Sequence, residues 1–153
     1  MTTHLLAFEQ WLPCRLDAVF PFFADAHNLQ VLTPPWLRFE VLTVGPIEMR
    51  VGALIDYRLH VRGVPLRWQS EIRAWEPPLR FVDEQRRGPY WRWVHTHTFR
   101  EQGGRTLCGD QVEYAVPGGR LVNWLFVEPD VRRIFAYRRE VLERRFSAKT
   151  RPM

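Results

Sequence analysis

Two imidazoles two residues apart, His95 and His97, are the side chains of this sequence best placed to do chemistry. They lie in the run Gly88-Pro89-Tyr90-Trp91-Arg92-Trp93-Val94-His95-Thr96-His97-Thr98-Phe99. A strand turns alternate side chains to opposite faces, so Trp91, Trp93, His95, His97 and Phe99 share one face. Arg92, Val94, Thr96, Thr98 and Arg100 take the other. A face of large aromatics that also carries two titratable rings suits the wall of an apolar pocket with a few orienting polar groups. Imidazoles there could bond a ligand, move a proton or chelate a metal. Chelation needs a third donor, and neither cysteine supplies it: Cys108 is expected opposite Phe99, and His60 on the polar face of its own strand. No metal and no other cofactor is expected.

Asp83 and Asp110 fall on the same inner face. A carboxylate there is costly to bury unless it is paired. Asp110 is expected to accept a hydrogen bond from His97, fixing that ring's tautomer. Asp83, placed opposite Trp93, is expected to meet Arg138. That arginine stands in the middle of an apolar helical stripe, charged at any physiological pH, and needs an acceptor. Tyr57, Trp68, Phe81, Trp93, Phe99 and Tyr114 are the expected walls. With His95, His97, Asp83, Asp110 and Arg138 they form the candidate ligand site. Were the site catalytic, His97 and Asp110 would form a polarised dyad with Tyr114 as proton donor, suited to cyclisation or dehydration of a carbonyl compound. The residue types permit that chemistry without requiring it. No nucleophile-elbow serine, phosphate-binding loop or dinucleotide glycine pattern is present.

The elements that must hold these residues follow from the turn signals. A first strand is expected over 5–12, ended by Pro13, then short helices over 16–24 and 26–32, the second stopped by Thr33-Pro34-Pro35. Pro21 limits the length of the first helix. Six strands follow, over 37–44, 53–62, 66–75, 79–86, 90–100 and 105–116. A two-residue turn at Gly103-Gly104 sets His97 opposite Asp110, His95 opposite Val112 and Trp93 opposite Tyr114. A turn at Gly63-Val64 sets Tyr57 opposite Ser70 and Leu59 opposite Trp68. A long helix opens at Glu128-Pro129-Asp130, with Val131, Ile134, Phe135, Val141, Leu142 and Phe146 recurring as its apolar stripe.

The 153 residues suit one domain, 1–153, with a substantial core. Seven Trp and ten Phe either fill an unusually bulky interior or line a hollow one. The net charge of +5 raises anionic surfaces as partners, and Lys149 is the only lysine among the basic residues. Arginines of the last helix could make the chain an anionic-surface module, and peripheral membrane contact is compatible with them. No nucleic-acid motif accompanies the charge, so no nucleic acid is expected. Cys14 and Cys108 read as reduced thiols. The start of the chain lacks the basic-then-apolar pattern of a signal peptide, and a cytoplasmic location is expected. Monomer and homodimer are both compatible with the sequence.

The element order and several motifs resemble the SRPBCC superfamily, the START-like or helix-grip fold, and within it the polyketide-cyclase/dehydrase and coenzyme-Q-binding-like branch. The likeness rests on Leu32-Thr33-Pro34-Pro35-Trp36, Trp68 with Glu71-Ile72, and Trp75-Glu76-Pro77-Pro78. Phe81 with Asp83, the 88–99 run and Phe135-Ala136-Tyr137-Arg138 complete it. The resemblance implies an α+β fold: a seven-stranded curved antiparallel sheet gripping a long C-terminal helix, with two short helices after the first strand. The expected role is to bind or carry a hydrophobic small molecule (a lipid, isoprenoid, quinone or polyketide-like aromatic) between sheet and helix. A cyclase or dehydratase is the alternative.

Overall fold

The structure, a computed structural model, describes residues 1–150, and side chains through residue 147. Strand β1 (His4–Leu12) leads into helix α1 (Leu16–Ala24), a 3-10 turn (Ala26–Asn28) and the short helix α2 (Leu29–Leu32). A second 3-10 turn (Pro35–Leu37) precedes β2 (Glu40–Val41), β3 (Leu54–Val61), β4 (Val64–Glu76), β5 (Arg80–Arg87), β6 (Arg92–Gln102) and β7 (Arg105–Ala115). All seven strands form one antiparallel sheet in the order β1-β7-β6-β5-β4-β3-β2. Chain order is kept except that β1 closes against β7. Helix α3 (Gly119–Val122), a π-turn (Asn123–Val127) and the long helix α4 (Glu128–Thr150) complete the chain. The expected α+β architecture is present; residues 151–153 of the expected domain lie outside the described residues.

The β6–β7 register is as the Gly103-Gly104 turn implies, from Gln102 opposite Arg105 to Trp93 opposite Tyr114. Both glycines have positive φ, 61° and 76°, which fits a two-residue hairpin turn twisted to match its strands. The β3–β4 turn differs from expectation. It falls on Arg62-Gly63, with Val61 opposite Val64, so Tyr57 faces Trp68 and Ile55 faces Ser70. Arg62 (φ 52°) and Gly63 (φ 80°) take the left-handed backbone that this turn needs. The displacement is two residues along the partner strand, so every side chain keeps its face.

Two other elements depart from the sequence reading, while α1 spans Leu16–Ala24 as expected. The strand expected over 37–44 shrinks to Glu40–Val41, because the Pro34-Pro35 turn and left-handed Arg38 (φ 46°) break the extended run. Helix α1 continues through Pro21: burying Val19, Phe20, Phe22 and Phe23 outweighs the one backbone hydrogen bond that proline removes. Helical structure begins at Gly119, well before Glu128. Gly118, at φ 91°, makes the entry; a Cβ there would sit 2.3 Å from Val122 Cγ2.

The interior is packed solidly at one end. The C-terminal half of α4 lays Val141, Leu142 and Phe146 against α1 and against Phe81 and Phe99 of the sheet. Val131 and Phe135, near its start, pack with Leu6, Val112 and Tyr114 on β1 and β7. The far side of the sheet, with Ala53, Ile55, Tyr57 and Ile72, forms a third cluster to which α4 contributes nothing buried. The gap between that cluster and the helix is where a hollow can persist.

Phe146 is fully buried and meets Phe22 edge-on at 5.7 Å. Phe146→Ala is expected to cost about 3–5 kcal/mol in urea unfolding, whereas Trp124→Ala, at a site 69% exposed, should change stability by less than about 0.5 kcal/mol.

Candidate functional site

A cavity of about 460 Å³ occupies that gap. Its floor is the concave face of β3 to β6, its roof is α4, and one side is closed by α2 and the turn after it through Leu29, Leu32 and Trp36. Seven of the eleven expected site residues line it: Tyr57, Trp68, Asp83, Trp93, His95, His97 and Arg138. Phe81 stands behind His97, stacked on that ring at 4.0 Å. Phe99 lies in the solid core against Phe20 and Phe23. Tyr114 is fully buried, and its hydroxyl donates to Asn123 Oδ1 at 2.6 Å. It therefore stands apart from the histidines as a proton donor. Asp110 is placed behind them, against the helix.

Trp91, expected on the inner face, precedes β6 and is 60% exposed. The Gly88-Pro89 segment bends the chain there, so the alternation starts only at Arg92. Sequence reasoning also missed the walls given by Leu59, Phe135 and the α2 side. The Leu32-Thr33-Pro34-Pro35-Trp36 motif was the available signal for the latter.

Three adjacent strands bring the polar groups together. His95 lies opposite Asp83 on β5, and His97 opposite Asp110 on β7. The hydrogen bonds nevertheless run diagonally. His97 Nε2 pairs with Asp83 Oδ2 at 2.7 Å, and His95 Nε2 with Asp110 Oδ1 at 2.8 Å. Arg138 Nη2 donates to Asp110 Oδ1 at 3.2 Å. The expected pairings of His97 with Asp110 and of Asp83 with Arg138 are thus corrected to the reverse set. The reason is ring stacking: His95 and His97 lie face to face, centroids 3.8 Å apart, and this points their Nε2 atoms toward opposite neighbouring strands. An ionised carboxylate only accepts, so each imidazole donates from Nε2, and a neutral ring then has a bare Nδ1. His97 Nδ1 and Arg138 Nε are buried without a hydrogen-bond partner among the described residues. Arg138 also lies over the Phe23 and Phe135 rings, at 5.5 and 5.8 Å.

Burial alone would raise both carboxyl groups. For Asp83 the hydrogen bond from His97 and the charges of His95, His97 and Arg138 overcome it, holding the group below its ordinary value. For Asp110 the Arg138 guanidinium is the main opposing influence, with His95 next, and again the carboxyl is held low. His97 is pushed down to about 4, chiefly by burial and then by His95, against the opposing pull of the two carboxylates. Burial and Asp110 push the Cys108 thiol up to about 12, which leaves it unreactive. The site so built is a largely apolar chamber with an ionised carboxylate, a neutral imidazole and a guanidinium on one wall, and a second ionised carboxylate, Asp110, behind them.

Residues 12–134 match the protein family described as polyketide cyclase / dehydrase and lipid transport. The chain belongs to that family. No curated protein matches it. Among solved structures, the aromatase/cyclase Zhui of a Streptomyces species is similar over 98% of this chain and 97% of its own, at 16% identity and TM-score 0.73. A Thermus thermophilus protein is 22% identical over 97% of this chain and 100% of its own, TM-score 0.66. Major latex-like protein 151 of Panax ginseng is 13% identical over 94% of this chain and 97% of its own, TM-score 0.66. At such identities the likeness to these three structures is one of fold. No helix of the described residues is long and apolar enough to cross a membrane.

The folded chain holds His97 at about 4, against 6.5 for an unperturbed ring. The unfolded chain therefore binds more protons across that window, and stability rises with pH through it. On acidification stability should fall between pH 6.5 and 4 and fall further as Asp83 and Asp110 protonate. Denaturant unfolding at pH 7, 5.5 and 4 measures the loss, and the His97 ring resonance should titrate near 4 in the NMR spectrum.

Proposed function

We propose that this member of the polyketide-cyclase and lipid-transport family binds or carries a hydrophobic small molecule bearing a carbonyl or phenolic oxygen. The observation that supports this most is the 460 Å³ chamber itself, walled by Trp68, Trp93, Leu59 and Phe135, with Arg138 set in its roof. An apolar body would lie against the aromatic walls, and its oxygen would accept from Arg138, whose Nε is buried without a partner among the described residues. An acyl lipid, a quinone with its isoprenoid tail or a polyketide-like aromatic has that form. Anilinonaphthalene sulfonate, an apolar aromatic anion, should bind at one equivalent and quench Trp68 and Trp93. Leu59→Trp, which narrows the chamber, should weaken binding without lowering Tm. Arg138→Met should weaken it at least about tenfold, the loss of a charge-assisted hydrogen bond. Equal binding by wild type and Leu59→Trp would defeat the reading.

A second reading, catalysis of cyclisation or dehydration, is favoured by one observation: His97 lines the chamber and is oriented by an ionised carboxylate 2.7 Å away, that of Asp83. With a poly-β-ketone, His97→Ala would lose turnover and keep binding if the protein is an enzyme. Weakened binding with no chemistry in the wild type would leave the carrier role.

Uptake from a membrane fits the rim. Leu121, Trp124, Leu125 and Phe126 are exposed where helical structure begins. Arg62, which lines the chamber, lies over the Phe126 ring at 5.3 Å. The wild type should float with phosphatidylglycerol vesicles, and the double variant Trp124→Glu, Phe126→Glu should not.

A further inference from the structure

We propose that Asp83 Oδ2, His95 Nδ1 and His97 Nε2 form a three-ligand site for a divalent transition-metal ion, its open position facing the apolar chamber. One ligand atom from each of Asp83, His95 and His97 lies within 4.8 Å of the other two, and all three residues line the cavity. The donor that the sequence reading could not find is the carboxylate opposite His95 on the neighbouring strand.

The geometry is near that of a bound ion. Asp83 Oδ2 stands 2.7 Å from His97 Nε2 and 4.0 Å from His95 Nδ1. Ligands about 2.1 Å from a tetrahedral zinc are about 3.4 Å apart. The first separation must open by about 0.7 Å and the second close by about 0.6 Å on that geometry; the two ring nitrogens, within 4.8 Å of each other, must close by up to about 1.4 Å. Two nitrogens and one carboxylate select zinc, cobalt or iron over calcium and magnesium, which take oxygen ligands.

What lies behind the ligands supports the same reading. His95 gives its Nε2 proton to Asp110, and Arg138 holds Asp110 in turn. That is the carboxylate–histidine arrangement that fixes the tautomer of a metal-binding ring and bares its other nitrogen. His97 gives the independent sign. Its Nδ1 is buried and unpaired, 3.6 Å from Asp110 Oδ1. An ion at Nε2 would displace the proton now shared with Asp83; carried on Nδ1 instead, that proton would bond Asp110. Metal binding would thus give a partner to His97 Nδ1, which is buried without one among the described residues.

The test uses the full chain, freed of metal with a chelator, and Co²⁺ or Zn²⁺ alone with no apolar ligand, so its outcome is independent of the carrier reading. One equivalent of Co²⁺ should give visible ligand-field absorption that Zn²⁺ removes, and Zn²⁺ should raise Tm. Paramagnetic Co²⁺ should broaden the His95 and His97 ring resonances of the wild type while leaving His4, His27 and His60 sharp. His97→Ala and Asp83→Asn should lose binding, Asp110→Asn should weaken it about 10- to 100-fold, and His27→Ala should leave it unchanged. No stoichiometric Co²⁺ absorption in the folded wild type would overturn the proposal. So would broadening confined to the other histidines, which is read without any variant.

Discussion

The ion pair between Asp110 and Arg138 is the constraint on which the rest of the molecule turns. It ties the middle of the long helix to the middle of the sheet, where neither element offers a purely apolar surface. Taking both charges out of water costs several kcal/mol each, and the pair is tolerable only because further hydrogen bonds complete it. His95 supplies one, and through the stack of His95 on His97 the arrangement extends to Asp83. The helix can therefore seat in one register only. A shift of one turn would leave a carboxylate and a guanidinium buried apart, a far larger penalty than mispacking a leucine.

That constraint also explains why a hollow survives beside it. Large aromatics pack α4 against α1 at one end and against β1 and β7 at the other. Between them Arg138 holds the helix at a distance set by the length of its own side chain and that of Asp110. The β3–β4 side of the sheet curves beneath this span and meets no side chain of α4 long enough to fill it. Trp68 and Trp93 pack edge to face at 5.4 Å, bracing the wall laterally and not across the gap.

Much of this was legible because strand periodicity and turn chemistry are local. Gly103-Gly104 has one compact solution, and it fixed the neighbours of His97 and His95 across β6 and β7 correctly. Arg62-Gly63 was harder, since an arginine in left-handed backbone carries no obvious sign, and the turn was placed one residue too late. The parity of the error preserved the inner face. Helix α4 starts at Glu128, as the Glu128-Pro129-Asp130 signal implies; the helical segment before it carries no such signal, since its π-turn is held by Asn123 buried against Tyr114.

The pairing of the polar groups could not be read from register. Opposition across strands names backbone neighbours; which nitrogen reaches which carboxylate depends on χ angles. Those are set here by a stack of Phe81, His97 and His95, with successive centroids 4.0 and 3.8 Å apart. The stack forbids the direct pairs, because a ring lying flat against its neighbour must point along the sheet to either side. The same geometry converges Asp83, His95 and His97 on one point while Asp110 and Arg138 stand behind them. A sequence reader counting potential ligands on one strand finds two. The third comes from the adjacent strand, and only the diagonal tilt of the imidazoles brings it into the set.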